Sequence, residues 1–214
     1  MATLYDNPFT GTGDTLVQSQ TLATISKGSR FTLITNSCRI LNNRAYRSAD
    51  PTGEYITDEV FGTSSYTVTA SMRQSTAETS NTFRIIGRYI DASNYYFLEY
   101  ALASTDIKLW KRVSGSNTQI GSSYTWNSIS LATIYAVALV INGDQISVTL
   151  DGATVIGPVT DTGIPATANP NQIGFRLNSA GTNASTKDWQ IDRILVTDFT
   201  SSGGSPLTGP GGLC

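Results

Sequence analysis

Apolar and polar residues alternate along much of this chain, and no stretch carries a sustained helical period. Tyr66-Thr67-Val68-Thr69-Ala70-Ser71-Met72 and Gln145-Ile146-Ser147-Val148-Thr149-Leu150 place apolar side chains at every second position. A period of two sends those side chains to one face of a β-strand. Tyr135-Ala136-Val137-Ala138-Leu139-Val140-Ile141 is bulky on one face and small on the other, the pattern of a strand covered on both sides. Residues 83–89, 95–102, 107–113, 172–177 and 189–199 complete the predicted strands. In the last of these, Trp189 and Ile191 mark one face, whereas Ile194 and Val196 mark the other. That slip of phase predicts either a bulge or a strand covered on both sides.

Turn residues punctuate the strands. Asn142-Gly143 lies between two strand-like runs and predicts a type I′ hairpin, in which both central residues have positive φ. Asp151-Gly152 repeats the signal one strand later, so residues 134–156 read as a three-stranded meander. Asp91-Ala92-Ser93-Asn94 predicts a further tight connection. Residues 36–59 are poor in strand signals and rich in Arg, Asn and Asp, and are expected to form a long surface excursion. Residues 201–214 are dominated by Gly, Ser and Pro and read as a flexible tail. The chain of 214 residues suits one all-β sandwich spanning residues 1–200, with no internal repeat.

Composition narrows the function classes. Charged residues make up 14% of the chain, against about 25% in a typical domain. The net charge is −2, and the 14 basic residues are scattered rather than gathered into a stripe, which sets nucleic acid aside. No run approaches the roughly 20 apolar residues of a membrane-spanning helix. Met1-Ala2-Thr3-Leu4-Tyr5-Asp6 lacks the basic start and apolar core of a secretory signal. The chain contains no histidine, which excludes Ser-His-Asp and Cys-His catalysis and any His-ligated metal.

Gly87-Arg88-Tyr89-Ile90-Asp91-Ala92-Ser93-Asn94-Tyr95-Tyr96-Phe97-Leu98 resembles a recurring strand–turn–strand element of concanavalin A-like and laminin G-like jelly rolls. The family order continues through Ile107 to Lys111, Tyr135 to Gly152, Asp161-Thr162, Ile173 to Arg176 and Ile191 to Ile194. The resemblance covers about residues 60–200 and implies a two-sheet antiparallel β-sandwich. The opening Asp6-Asn7-Pro8-Phe9-Thr10-Gly11-Thr12-Gly13-Asp14-Thr15-Leu16 is similar to that of laminin G-like virion proteins of tailed bacteriophages. It implies a non-enzymatic structural protein of a phage virion, either a capsid decoration (cement) protein or a tail-associated one. Its partners would be other virion proteins and copies of itself, assembled in the host cytoplasm and released by lysis. The alternative is a glycan-binding module that contacts the host surface.

An enzyme acting on polysaccharide fits least. Glycosidases of this fold set carboxylates at alternate positions of one strand, close enough for the roughly 5 Å spacing of a retaining mechanism. Here the only glutamates are Glu54, Glu59, Glu78 and Glu99, and none has an aspartate two residues later.

Four groups of residues are candidates for function. Trp110, Tyr124 and Trp126 could stack on sugar faces, against the alternative that all three pack inside the sandwich. Trp110 is out of phase with Ile107, Leu109 and Val113, which turns it away from that strand's apolar face. Arg39, Arg44 and Arg47 suit an interface, because the guanidinium fork pairs carboxylates bidentately. Cys214 ends the tail, with three fates open: an inter-subunit disulfide, a bond to Cys38, or a thiol. Cys38 by itself reads as a small buried hydrophobe. Asp91 with Asn94, and Asp161 with Thr162, fall where lectin-like relatives sometimes hold calcium, but Asp and Asn also initiate turns. No cofactor is expected.

Overall fold

The computed structural model describes residues 1–10, 15–17, 31–35, 38–40, 42–47, 52–74, 82–101, 103–178 and 189–199. These residues form two antiparallel sheets packed face to face, with no α-helix among them. The first sheet runs β15 (Ala153–Thr160), β14 (Gln145–Leu150), β13 (Tyr135–Asn142), β7 (Ser65–Gln74), β17 (Trp189–Asp198), β5 (Ala45–Arg47), β4 (Cys38–Ile40), β2 (Thr15–Leu16). Strand β1 (Thr3–Asn7) also pairs with β17. The second sheet runs β11 (Ser116–Gln119), β10 (Asp106–Val113), β9 (Asn94–Ala101), β8 (Thr82–Asp91), β16 (Gln172–Asn178), β6 (Thr52–Thr57), β3 (Phe31–Thr35), with β12 (Tyr124–Thr125) also on β10.

The alternating sequences become the core. In β7, Tyr66, Val68, Ala70 and Met72 point inward and are fully buried, while the residues between them are half-buried. β13 pairs with β7 over its whole length and buries Val137, Leu139 and Ile141. Its small face is only half covered, with Ala136 and Val140 partly exposed beside buried Ala138. The slip in the last strand is a bulge: Ile191 pairs with Met72 and Arg193 with Ser71, leaving Asp192 between them. The extra residue keeps Trp189, Ile191, Ile194 and Val196 all inside.

Aromatic rings fill both ends of the sandwich. Phe83, Tyr100, Trp126 and Trp189 pack at one end, with ring centroids 4.9–5.8 Å apart. Phe9, Phe31, Tyr55 and Phe175 pack at the other. The opening residues have structural tasks in this arrangement. The Asp6 carboxylate accepts two hydrogen bonds from Arg193 at 2.7 and 2.8 Å. The Asn7 side chain accepts the backbone N–H of Phe9, which turns the chain so that the Phe9 ring enters the core.

Two expectations are corrected. The described residues within 36–59 are not a surface excursion: they hold β4, β5 and β6, and Cys38, Ile40, Ala45, Tyr55 and Ile56 are buried. β4 and β5 are too short to display a period, and Gly53 and Glu54 mask the apolar pattern of β6. The first hairpin of the meander also closes one residue later than expected. Asn142 pairs with Gln145, so Gly143 and Asp144 form the turn, and only Gly143 has positive φ (58°). That is the type II′ pattern, with glycine first. Asp151 (49°) and Gly152 (83°) both have positive φ, as type I′ requires.

Candidate functional site

Sheets of a sandwich normally keep polar side chains on the outer face. The second sheet departs from this. In β9, Tyr96, Leu98 and Tyr100 turn into the core, so Tyr95, Phe97 and Glu99 turn outward. Tyr95 and Phe97 nevertheless join Ile56, Ile86 and Tyr89 in a cluster separate from the main core, with Trp110 packed against its side. The strand register builds it: Trp110 stands opposite Phe97, Phe97 opposite Ile86, and Ile86 and Ile56 each opposite Gly174. A side chain at position 174 would run into the Tyr55 carbonyl and the Ile56 side chain, and the sequence leaves it bare. The Phe97 and Trp110 rings are stacked, 6.2 Å between centroids and 11° between planes. Tyr95 packs on both Tyr89 and Phe97 at 5.5 Å.

A charged row runs beside this aromatic stripe. Lys108, Glu99, Arg84, Arg176 and Glu54 occupy successive register positions on β10, β9, β8, β16 and β6. Arg84 Nε donates to Glu99 Oε2 at 2.5 Å, and its guanidinium lies 4.6 Å above the Phe97 ring. Arg176 Nη1 stands 3.6 Å from Glu54 Oε2. Burial, then the neighbouring Arg84, push the Arg176 pKa down, against the pull of Glu54. Burial and the Glu54 charge push the Tyr95 hydroxyl up. Tyr89, Tyr95 and Phe97 are themselves buried (8, 5 and 1% exposed), so the half-buried Trp110 is the ring this face presents, next to fixed donors and acceptors. A ligand with one apolar face and several hydroxyls fits that chemistry, because each hydroxyl both donates and accepts.

Of the aromatic candidates, Trp110 alone stands on this face, and its Nε1 has no hydrogen-bond partner among the described residues. Tyr124 is half-buried against the main core. Trp126 is 2% exposed and lies inside the sandwich, the alternative to a sugar-stacking role. Tyr95 is packed and buried like Tyr96 and Tyr100, but on the sheet's outer side with Tyr89 and Phe97, where Arg84, Arg176, Glu54 and Glu99 border it in a site that no sequence motif marks.

The other candidates are spread over the first sheet. Cys38 is fully buried, and its backbone N–H donates to the Tyr55 hydroxyl at 2.8 Å; Cys214 lies outside the described residues. Arg39 is half-buried on β4. Arg44 is engaged with Asp192 at 3.2 Å, a carboxylate that Arg73 also grips at 2.6 and 3.1 Å. Arg47 lies on β5, and its side chain is outside the described residues.

The calcium candidates do not fit a metal. Both Asp91 oxygens accept from Asn94 Nδ2, and one also accepts the Ser93 backbone N–H, as in an Asp-initiated turn. The Asp161 carboxylate accepts from Lys111 Nζ at 2.6 Å, the Tyr96 hydroxyl at 2.8 Å and the Gly163 backbone N–H at 2.8 Å. An ammonium group and two further donors hold the place a cation would take.

The same contacts set a pH dependence. Burial pushes the Asp161 pKa up, but the Lys111, Tyr96 and Gly163 donors outweigh it and hold it below its ordinary value. A depressed folded-state pKa contributes stability above the unfolded-state value of about 3.9, and that contribution disappears as pH falls through the folded value. Asp161→Asn is therefore expected to destabilise the protein at pH 7, with the gap to wild type closing as pH falls from about 4 through the lowered folded-state value. Urea unfolding across that range checks it. A constant gap would contradict the assignment.

No family model matches this chain, and no curated protein matches it. Solved structures do. A carbohydrate-binding module, CBM66 from Bacillus subtilis, superposes with a TM-score of 0.56 at 14% identity, over 78% of this chain and 92% of that one. A structure named for endo-acting O-glycanases that human gut microbiota express to initiate mucin breakdown gives 0.65 at 10% identity, over 93% and 100%. The exoplasmic/lumenal domain of VIP36, bound to Ca2+ and Man3GlcNAc, gives 0.61 at 8% identity, over 82% and 86%. The fold is a concanavalin A-like jelly roll. Identities this low carry the architecture and nothing finer.

Proposed function

We propose that this protein binds carbohydrate without catalysing its cleavage, using the outer face of the sheet formed by β10, β9, β8, β16 and β6. The observation that carries this reading is the Trp110–Phe97–Tyr95–Tyr89 stripe lying beside the Lys108–Glu99–Arg84–Arg176–Glu54 row. A sugar ring laid on Trp110, the half-buried ring that the buried Phe97, Tyr95 and Tyr89 support, covers its C–H face, and its hydroxyls reach carboxylate and guanidinium. The names of two similar structures support the reading, one being a carbohydrate-binding module and the other holding Man3GlcNAc.

Hydrolysis on this face is disfavoured by distance. Glu99 and Glu54 are separated by three interstrand steps, about 14 Å. Paired glycosidase carboxylates stand about 5–9.5 Å apart. Both are also engaged by arginines. The virion role implied by the opening residues gains no support from this geometry, because Asp6, Asn7 and Phe9 serve the fold.

The test is binding on a glycan array, followed by titration of the best ligand against wild type and Trp110→Ala. The variant is expected to bind at least tenfold more weakly, about 1.4 kcal/mol, while its unfolding midpoint stays close to wild type. Unchanged affinity in Trp110→Ala, or no glycan bound by the wild type, would overturn the reading.

A further inference from the structure

Past the start of β16, at the end of the outer face where Tyr89 and Tyr95 stand, the loops enclose a cleft of about 410 Å³. That volume lies within the range of small-molecule sites, roughly 300–1,000 Å³. Val60, Gly62 and Thr63 form one wall, from the β6–β7 connection; Thr167, Asn169 and Asn171 form the other, from the β15–β16 connection. No lining side chain is ionisable.

The two walls are locked together. Asn171 Nδ2 donates to the carbonyls of Phe61 (3.2 Å) and Thr63 (2.8 Å), and the Phe61 N–H donates to the Asn171 carbonyl at 2.8 Å. Asn171 Oδ1 accepts the Tyr66 hydroxyl at 2.7 Å, and that hydroxyl accepts the Arg88 backbone N–H at 2.7 Å. Arg88 Nη2 donates to the Ser64 carbonyl at 3.2 Å. A cleft held in this way is preformed, and a ligand entering it need not order the loops.

The cleft also adjoins the aromatic stripe. Asn171 is followed directly by Gln172, which pairs with Tyr89. One antiparallel pair and one peptide step place the Tyr89 and Asn171 Cα atoms at most about 9 Å apart.

We infer that this cleft is a second subsite for the same ligand, so that the protein recognises an oligosaccharide with one sugar on the aromatic stripe and another, uncharged, sugar in the cleft. The inference rests on the carbohydrate reading above. An ionised substituent in the cleft would lose its hydration without meeting a counter-charge, which selects a neutral unit there.

Gly62 offers a clean test. A Cβ built there meets nothing within 4 Å, and its φ is not in the left-handed region, so Gly62→Trp can fill the cleft without straining the backbone. The probes are neutral homo-oligosaccharides of glucose, mannose, galactose and xylose, one to four units long, titrated into the full chain. The wild type is expected to bind the longer members of one series at least tenfold more tightly than its monosaccharide, and Gly62→Trp to lose that gain while keeping monosaccharide affinity. Trp110→Ala should weaken both. If Trp110→Ala weakens binding but Gly62→Trp binds every length like wild type, or length brings no gain in wild type, the cleft subsite is overturned and the aromatic face stands. If no probe binds, or Trp110→Ala has no effect, the face reading fails and the subsite with it.

Discussion

Replacing Trp126 with alanine is expected to cost about 3–5 kcal/mol of folding stability, the range for deleting a buried aromatic side chain. The indole packs edge-to-face on Tyr135 (4.9 Å, 88°) and Tyr100 (5.4 Å, 71°), and lies 5.8 Å from Trp189. Its backbone N–H donates to the Thr105 carbonyl at 2.7 Å, so the segment leading from β12 to β13 is held by both ring and chain. No neighbouring side chain is placed to fill the space, because Tyr100 and Trp189 are themselves fixed in ring contacts with Phe83. For a chain of this size the loss corresponds to a fall in Tm of roughly 10 °C. At a temperature where the variant remains folded, carbohydrate affinity should be retained. Trp110→Ala should show the reverse pair of phenotypes, weak binding with near-normal stability. Calorimetry and titration on the two variants check this together, and a stable Trp126→Ala that binds nothing would contradict the placement of Trp126.

Replacing Arg88 with methionine is expected to cost roughly 3–5 kcal/mol, through polar groups left unpaired rather than lost packing. Arg88 is fully buried, and its described hydrogen-bond partners are backbone carbonyls rather than a carboxylate. Nη1 donates to Ile164 O at 3.0 Å, and Nη2 to Ser64 O and Gly143 O. Those carbonyls belong to three separate connections, so one guanidinium ties the β6–β7, β13–β14 and β15–β16 loops to the edge of β8. The guanidinium also lies 5.6 Å from the centre of the Tyr96 ring, whose hydroxyl receives the Ile164 N–H. Methionine matches the volume but supplies no donor. Lysine supplies donors from one point and should recover only part of the loss, because the fork reaches in two directions. Urea unfolding measures both variants, and hydrogen exchange at Ile164 should accelerate in Arg88→Met. A methionine variant within 1 kcal/mol of wild type would show that water satisfies the three carbonyls.

The fold was legible wherever one face of a strand is buried for six or more residues. β7, β13 and β14 display their period because each second side chain meets the opposing sheet, and the slip at Asp192 was visible as a break in that phase. β4 and β5, of three residues each, are too short to show a period, and their place is set by partners far along the chain. The Asn142-Gly143 signal located a hairpin but not its closing pair, since Asn142 prefers to extend the ladder opposite Gln145.

The candidate site was less legible. Trp110 emerged because it breaks the phase of Ile107 and Leu109. Tyr95 and Phe97 did not, because a strand apolar on both faces reads the same whether its second face packs on the opposing sheet or in a separate outer cluster, as here. Arg176 and Glu54 arrive beside them only through the pairing of β16 with β8 and β6, strands more than 80 and 25 residues distant from β8. Trp126 sits in an irregular segment where composition suggests exposure, and the aromatic end of the core overrides it.

The central claim, that carbohydrate is held on the outer face of the second sheet, is tested most directly by mapping amide and indole chemical shifts during titration with the best-binding glycan. The account predicts shifts concentrated at Tyr95, Phe97, Arg84, Arg176 and the Trp110 indole N–H, with the largest at Trp110. Shifts confined to the outer face of the other sheet, around Ser147 and Thr149, or no saturable shift with any glycan, would contradict it.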